Sequence, residues 1–232
     1  EEKSTVNGNV DLYAVVFNRT TETDLTEDQL PQVDIYKYKQ VIFVGDSRTE
    51  FMENVLTGMG ESATKNVKFV CSAGKGLDWF TTTGWAQLYS IVQHDSNSIL
   101  SKKTAVIFNF GVNDLSKSAD YAEYYNWIAP QLKSKGCELY FMSVNPVNRL
   151  MLPNAGRADR SEAAVRSFNQ YMKANLSSAY TYIDMYSYLK STGYSFASDH
   201  YGTGTVDDGL HYTTRTYKRI FAKCMDSLRV PA

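Results

Sequence analysis

Val41-Ile42-Phe43-Val44-Gly45-Asp46-Ser47-Arg48 is the stretch that decides the fold of this chain. Its four consecutive apolar residues predict a strand that is buried on both faces. After Gly45, apolar residues recur at helical spacing, at Phe51, Met52, Val55, Leu56 and Met59. Ser47 is therefore expected in a sharp turn between a buried strand and a helix N-terminus, where open α/β sheets bind ligands. Taken alone, Asp46 and Ser47 are equally consistent with simple helix capping.

Strand and helix patterns alternate along the rest of the chain. The predicted strands are Gln40–Val44, Val67–Cys71, Thr104–Phe110, Glu138–Val144 and Tyr180–Asp184. The predicted helices are Thr49–Met59, Leu77–Gln93, Ala119–Lys135, Ser161–Leu176 and Thr213–Leu228. Pro130 should kink or break the third helix, and Asp159 with Glu162 resembles a capping box for the fourth. This alternation predicts a three-layer α/β/α sandwich, flavodoxin-like, with about five parallel strands in the order 2-1-3-4-5.

The N-terminal residues differ from this regular pattern. Val10–Phe17 could form a strand, and Thr20–Gln32 is polar and acidic. We therefore expect residues 1–37 to form an N-terminal extension or edge element, and residues 38–232 to form one α/β domain. Because the chain begins Glu1-Glu2 without Met, we also expect a removed signal and a secreted or cell-surface location.

Net charge, the length of apolar runs and the number of cysteines argue against several classes of function. The 232 residues carry 24 basic and 25 acidic side chains, so the formal net charge of −1 gives no support for binding nucleic acid or anionic membranes. No run approaches the roughly 18 apolar residues that a membrane span needs. The cysteines Cys71, Cys137 and Cys224 are odd in number and widely spaced, which predicts buried thiols. We expect no metal and no cofactor, and a monomer or weak oligomer.

Polar residues follow the second and third predicted strands, at the edge of the sheet where Ser47 lies. Asn113, in Gly111-Val112-Asn113-Asp114, offers side-chain N–H donors that could stabilise an oxyanion, although these residues are also common turn formers. Gly74 and Gly76 would let the backbone approach a ligand closely, and either backbone N–H could be another donor. A plain strand-to-helix turn explains the glycines equally well.

His211 is one of three histidines in the chain, and Asp208 precedes it by three residues. A short Asp-x-x-His turn can fold the carboxylate onto one ring nitrogen and aim the other nitrogen outward. Together with Ser47, this pair would supply a nucleophile, a base and an orienting carboxylate. A lone histidine is more often a surface or packed residue, so the prediction depends on the combination.

These segments together resemble the SGNH (GDSL-type) hydrolases. Gly45-Asp46-Ser47, Gly76, Gly111-x-Asn113-Asp114 and Asp208-x-x-His211 are similar to the family's four blocks, over about Lys39 to the C-terminus. The resemblance implies a three-layer α/β/α fold and hydrolysis of esters or thioesters through an acyl-enzyme. It also implies that Ser47 is the nucleophile, His211 the base and Asp208 its orienter.

The resemblance further implies an oxyanion hole formed by Ser47, Gly76 and Asn113. The second block of the family usually has Asn at a position that Cys71 or Ser72 occupies here. Counting from Cys71 selects Gly76 as the oxyanion glycine, whereas counting from Ser72 selects Gly74. We prefer Gly76. Arg48 replaces the usual Leu after the nucleophile, and it could contact an acidic or hydroxylated substrate or have a surface or structural role. The substrate-binding residues that we predict are Arg48, Gly74, Trp79, Asn145 and Tyr212.

The sequence therefore predicts a serine esterase that removes acetyl or other short acyl groups, with a carbohydrate or cell-wall glycan as the expected substrate. Aromatic residues near the predicted mouth could stack on sugar rings or simply pack in the core: Trp79, Phe80, Tyr201 and Tyr212. An O-acyltransferase that uses the same residues, with a sugar hydroxyl in place of water, is the alternative. A non-catalytic surface binding module on this scaffold is a third reading.

Overall fold

A computed structural model of the chain describes residues 24–34, 37–94, 103–152, 160–199 and 201–228. Its strands are β1 (Tyr38–Gly45), β2 (Val67–Cys71), β3 (Lys103–Asn109), β4 (Cys137–Met142) and β5 (Tyr180–Ile183). All neighbouring strands are parallel, and their order is β2-β1-β3-β4-β5. The predicted sheet and strand order are confirmed. The predicted strand at Val10–Phe17 lies outside the described residues.

Helices cover both faces of the sheet. They are α1 (Ser47–Met59), α2 (Leu77–Trp79, the π-helical turn Phe80–Gly84 and Trp85–His94), α3 (Ser118–Ser134), α4 (Glu162–Asn175), α5 (Met185–Thr192) and α6 (Thr214–Ser227). Alternate β1 residues face opposite cores: Ile42 and Val44 pack with α2, α3 and α4, whereas Val41 and Phe43 pack with α1, α5 and α6. Both faces of β1 are thus apolar, as its sequence predicted.

The N-terminal residues that the structure describes pack against the face covered by α1 and α6. Leu30 and Val33 are buried in the same core as Phe51 and Phe221. Lys37 donates a hydrogen bond from Nζ to the carbonyl of Leu228, 2.6 Å away. The division at residue 37 stays a prediction, but residues 24–34 lie on the main domain rather than apart from it.

Three details of the helices differ from the predictions. Pro130 does not break α3, because it is exposed while Tyr125, Ile128 and Leu132 are buried, and their burial outweighs one lost backbone hydrogen bond. The N-cap of α4 is Ser161, whose hydroxyl accepts from the N–H of Ala164; the predicted cap Asp159 lies outside the described residues. Helix α5 was not predicted at all.

The prediction of buried thiols is confirmed for two of the three cysteines. Cys137 and Cys224 are buried and Cys71 is half-buried, and none of them forms a disulfide. Among the described residues, no group of three His, Cys, Asp or Glu side chains could hold a metal ion. Within the same ranges, no helix is both long enough and apolar enough to cross a bilayer.

Candidate active site

Ser47 is the first residue of α1, directly beyond the carboxyl end of β1. The preceding Asp46 caps the helix by accepting a hydrogen bond from the backbone N–H of Arg48, at 3.0 Å. Gly45 permits the sharp turn, because a Cβ there would lie 2.0 Å from the Thr49 hydroxyl oxygen. The strand-to-helix turn therefore holds the Ser47 hydroxyl at the edge of the sheet.

The side chains of Ser47, His211 and Asp208 form one continuous series of hydrogen bonds. His211 Nε2 lies 2.9 Å from Ser47 Oγ, and His211 Nδ1 lies 2.7 Å from Asp208 Oδ2. The other carboxylate oxygen, Oδ1, accepts the backbone N–H groups of Leu210 and His211, each at 2.8 Å. This is the short Asp-x-x-His turn that the spacing predicted, closed onto the imidazole ring.

The surroundings of this series keep its carboxylate ionised. Burial by itself would raise the pKa of Asp208, but the hydrogen bond from the His211 ring and those from two backbone N–H groups outweigh burial. The pKa of Asp208 is consequently held below its usual range. A charged carboxylate beside Nδ1 can fix the imidazole tautomer and stabilise the imidazolium.

Phe51 packs against one face of the His211 imidazole, and the sequence did not predict this contact. Its ring stacks on that of His211 with the centroids 4.1 Å apart. Phe51 lies one turn after Ser47 on α1, so this helix positions both the hydroxyl and the ring that faces it. The helical spacing of Phe51 indicated burial, but it gave no sign of which residue the ring would cover.

The Asn113 side chain lies between two polar partners in the turn after β3. Its Oδ1 accepts from Nη2 of Arg160 at 2.9 Å, and its Nδ2 donates to the carbonyl of Lys75 at 2.8 Å. Because a guanidinium only donates, Arg160 fixes which way the amide faces. The amide nitrogen carries two hydrogens, so one further donor is left beside the loop that contains Gly76.

Gly76 fits the predicted oxyanion position better than Gly74 does. A Cβ on Gly76 would lie 2.3 Å from Oδ2 of Asp114, whereas a Cβ on Gly74 would meet nothing within 4 Å. Asp114 Oδ2 accepts from the backbone N–H of Leu77 at 2.9 Å, and Oδ1 accepts from the Tyr121 hydroxyl at 2.7 Å. Gly76 is thus packed against the Asn113-Asp114 turn, and Gly74 is exposed outside it.

Comparison with known proteins agrees with this geometry. A family model described as GDSL-like lipase/acylhydrolase matches residues 41–224. This chain belongs to the GDSL-like lipase/acylhydrolase family. Membership confirms the resemblance that the four sequence blocks predicted, and it implies an ester substrate and hydrolase chemistry.

Solved structures of GDSL and SGNH proteins share the fold at low sequence identity. A candidate SGNH hydrolase from Slackia heliotrinireducens is 14% identical, with a TM-score of 0.58, over 83% of this chain and 100% of that one. A candidate acylhydrolase from Bacteroides fragilis is 16% identical, with a TM-score of 0.55, over 94% of this chain and 96% of that one. An acetyl xylan esterase is 11% identical, with a TM-score of 0.53, over 82% and 100%. The comparison with curated proteins gave no match.

Arg48, where the GDSL pattern has Leu, joins two loops to α1 beneath the site. Its side chain is only 3% exposed. It donates to the carbonyls of Leu210 at 2.9 Å, Asn145 at 2.8 Å and Pro146 at 2.7 Å. Leu210, the residue before His211, is thereby linked through Arg48 to α1 and to the loop after β4. The guanidinium therefore faces buried carbonyls, and of the roles expected for Arg48 these contacts favour the structural one.

The other predicted substrate-binding residues occupy different environments. Tyr212 is buried, its hydroxyl donates to the carbonyl of Pro146, and its ring lies 5.1 Å from the Arg48 guanidinium carbon, so the prediction that it binds substrate is wrong. Asn145 is also buried, and its Oδ1 has no hydrogen-bond partner within the part of the chain that the structure describes. Trp79 is partly exposed beside Phe110, and Phe80 is fully buried.

We expect replacement of Arg48 by leucine, the usual residue of the family, to destabilise the fold. Three buried carbonyls would each lose the Arg48 donor, and within the described residues only that of Pro146 would keep a second one, the Tyr212 hydroxyl, so the free energy of unfolding should fall by about 3 kcal/mol or more. Chemical denaturation measures the change. Arg166→Leu, at an exposed arginine on α4, is the matched control and should change stability by no more than about 0.5 kcal/mol. Equal effects of the two substitutions would contradict the role given to Arg48.

Proposed function

We propose that this protein is a serine esterase that hydrolyses short-chain esters, acetyl esters above all, on carbohydrate or cell-wall glycan. The observation that carries the proposal is the hydrogen-bonded series from Ser47 Oγ through the His211 ring to Asp208. A nucleophile, a base and an orienting carboxylate in this order are the requirements of acyl transfer through a covalent intermediate.

In the first half-reaction, His211 Nε2 takes the proton of the Ser47 hydroxyl while Oγ attacks the ester carbonyl. The tetrahedral oxyanion accepts hydrogen bonds from the backbone N–H groups of Ser47 and Gly76 and from Nδ2 of Asn113. His211 then gives its proton to the leaving alcohol oxygen as the carbon–oxygen bond breaks. The acyl group remains on Ser47 as an ester.

In the second half-reaction, water replaces the alcohol. His211 takes one proton from the water, whose oxygen attacks the acyl carbonyl and forms a second oxyanion in the same hole. When this intermediate collapses, the proton returns to Ser47 Oγ and the carboxylic acid leaves. Asp208 stays ionised throughout, because its lowered pKa favours the carboxylate.

The preference for short acyl groups is supported by the burial of the reacting residues. Ser47 is 5% exposed and His211 is 1% exposed, so little open surface surrounds the hydroxyl for a long acyl chain. An acetyl xylan esterase shares the fold, which makes acetylated glycans reasonable substrates to test first. The measurement is product release from a panel of acetylated xylan, acetylated pectin, acetylated peptidoglycan and long-chain esters. Release from long-chain esters only would refute the proposal, and acetyl recovered on an added glycan would indicate transfer.

We expect Asn113→Ala to lower kcat by about 10²- to 10³-fold with little change in KM, because one donor to the oxyanion is lost. Steady-state hydrolysis of 4-nitrophenyl acetate measures both constants. Asn175→Ala is the matched control, because that amide donates to the carbonyl of Tyr171 at the exposed end of α4. A fall of less than about threefold in Asn113→Ala would remove this side chain from the proposed oxyanion hole.

A further inference from the structure

A cavity of about 480 Å³ opens directly beside Asn113. Its walls are the turn after β3, Arg149 in the loop after β4, and Arg160 and Ser161 at the start of α4. Asn113, the proposed oxyanion donor, belongs to the cavity wall. A substituent on the ester that reacts with Ser47 could therefore extend into this space without leaving the site.

Two arginine side chains give this cavity its charge. The chain as a whole has a formal net charge of −1, so the pair is not part of a generally basic surface. Arg160 donates from Nε to the carbonyl of Val112 and from Nη2 to Oδ1 of Asn113, and both acceptors are neutral amide oxygens. These bonds orient the guanidinium, whose positive charge also acts on the buried carboxylate of Asp46.

Asp114 is the carboxylate in the part of the cavity wall that the structure describes, and both of its oxygens accept hydrogen bonds from other elements. Asp114 accepts from the backbone N–H of Leu77 through one oxygen and from the Tyr121 hydroxyl through the other. Its two oxygens thereby hold the start of α2 and the side of α3. The first turn of α4, with Ser161 as its N-cap, adds the positive end of a helix dipole to the same wall.

We propose that this cavity binds a carboxylate carried by the substrate, so that the preferred esters lie on acidic glycans such as those containing uronic acids. The proposal rests on the esterase function above and names its substrate class. A planar guanidinium matches the two oxygens of a carboxylate, and Arg149 is exposed at the cavity, where it can meet such a group. Arg160 would contribute charge while it continues to hold Asn113.

Two acetate esters that differ only in charge test the proposal: 3-acetoxybenzoate and its neutral counterpart 3-acetoxybenzamide. We expect the wild-type protein to show a kcat/KM ratio of about tenfold or more in favour of the anionic ester. Added salt should reduce this ratio. In Arg149→Gln the ratio should fall towards one. Arg166→Gln, on the same helix as Ser161 but in the wall of a different cavity, should keep the wild-type ratio.

Binding without turnover provides an independent measurement. Calorimetry with the Ser47→Ala variant compares trigalacturonate with its fully methyl-esterified form, and we expect the charged sugar to bind about tenfold more tightly. Equal hydrolysis of the two acetate esters would overturn the carboxylate site and leave the esterase function standing. If neither ester is hydrolysed, the esterase function is overturned. The binding measurement then still tests the carboxylate site, which equal binding of the two trisaccharides would overturn.

Discussion

Ser47→Ala is expected to lower ester hydrolysis by about 10⁶-fold, to the rate that binding and the oxyanion donors alone can support. The Ser47 hydroxyl, 2.9 Å from His211 Nε2, is the only oxygen in this series that could attack a carbonyl. Removing His211 as well should cost little more, because residues that act as one unit are strongly non-additive. Initial rates with 4-nitrophenyl acetate, compared with the rate in buffer alone, measure the effect.

Ser134→Ala provides the control for this substitution. That hydroxyl donates to a carbonyl in the last turn of α3 and is exposed, so activity should be retained. A serine-directed phosphonate should label the wild-type protein at Ser47, as located by mass spectrometry of the peptides, and should not label the variant. More than about a tenth of wild-type activity in a folded Ser47→Ala protein would refute the assignment of the nucleophile.

Asp208→Asn is expected to lower kcat by about 10⁴-fold while the geometry of the site stays nearly unchanged. An amide nitrogen facing His211 Nδ1 would donate to it and place the ring proton on Nε2, where Ser47 needs an acceptor. The loss of the negative charge would also destabilise the imidazolium that forms in both half-reactions. Asp207→Asn is the neighbouring control, because Asp207 accepts from Asn148 and from the backbone N–H of Gly209. Similar losses in the two variants would contradict the role of Asp208.

The pH dependence follows from the same pair of residues. The lowered pKa of Asp208 keeps this carboxylate ionised as the pH falls, so Asp208 does not set the acidic limb of kcat/KM. A protonated imidazole cannot accept the Ser47 proton. Activity should therefore be low in acid and rise with pH as the imidazole loses its proton. A profile that is flat between about pH 5 and pH 8 would argue against a histidine base.

The strand order and the positions of the polar turns could be predicted because each depends on a local pattern. Continuous apolar runs define β1 and β3, and parallel strands place their carboxyl ends at one edge, which is why Ser47 and Asn113 were expected near each other. The Asp208–His211 turn is equally local, since its residues are three apart. Structural features that depend on one short segment could therefore be predicted from the sequence.

The remaining features depend on contacts between distant segments. Arg48 is buried by carbonyls that lie 97, 98 and 162 residues away in the sequence, so no local pattern distinguishes it from a surface arginine. Helix α5 begins directly after β5, and its only buried residues are Met185 and Leu189, too few to show helical periodicity. The prediction that Pro130 breaks α3 was wrong because the sequence of the helix alone does not show how strongly its apolar face is buried.

The separation between Ser47 and His211 has a consequence for biosynthesis. The base is supplied 164 residues after the nucleophile, just before the final helix α6. The β-strands and α1 can be complete on a nascent chain while the imidazole is still inside the ribosome. On the proposed mechanism, a polypeptide that lacks His211 would be inert towards esters, and competence would require the segment before α6 to pack beside Phe51 of α1.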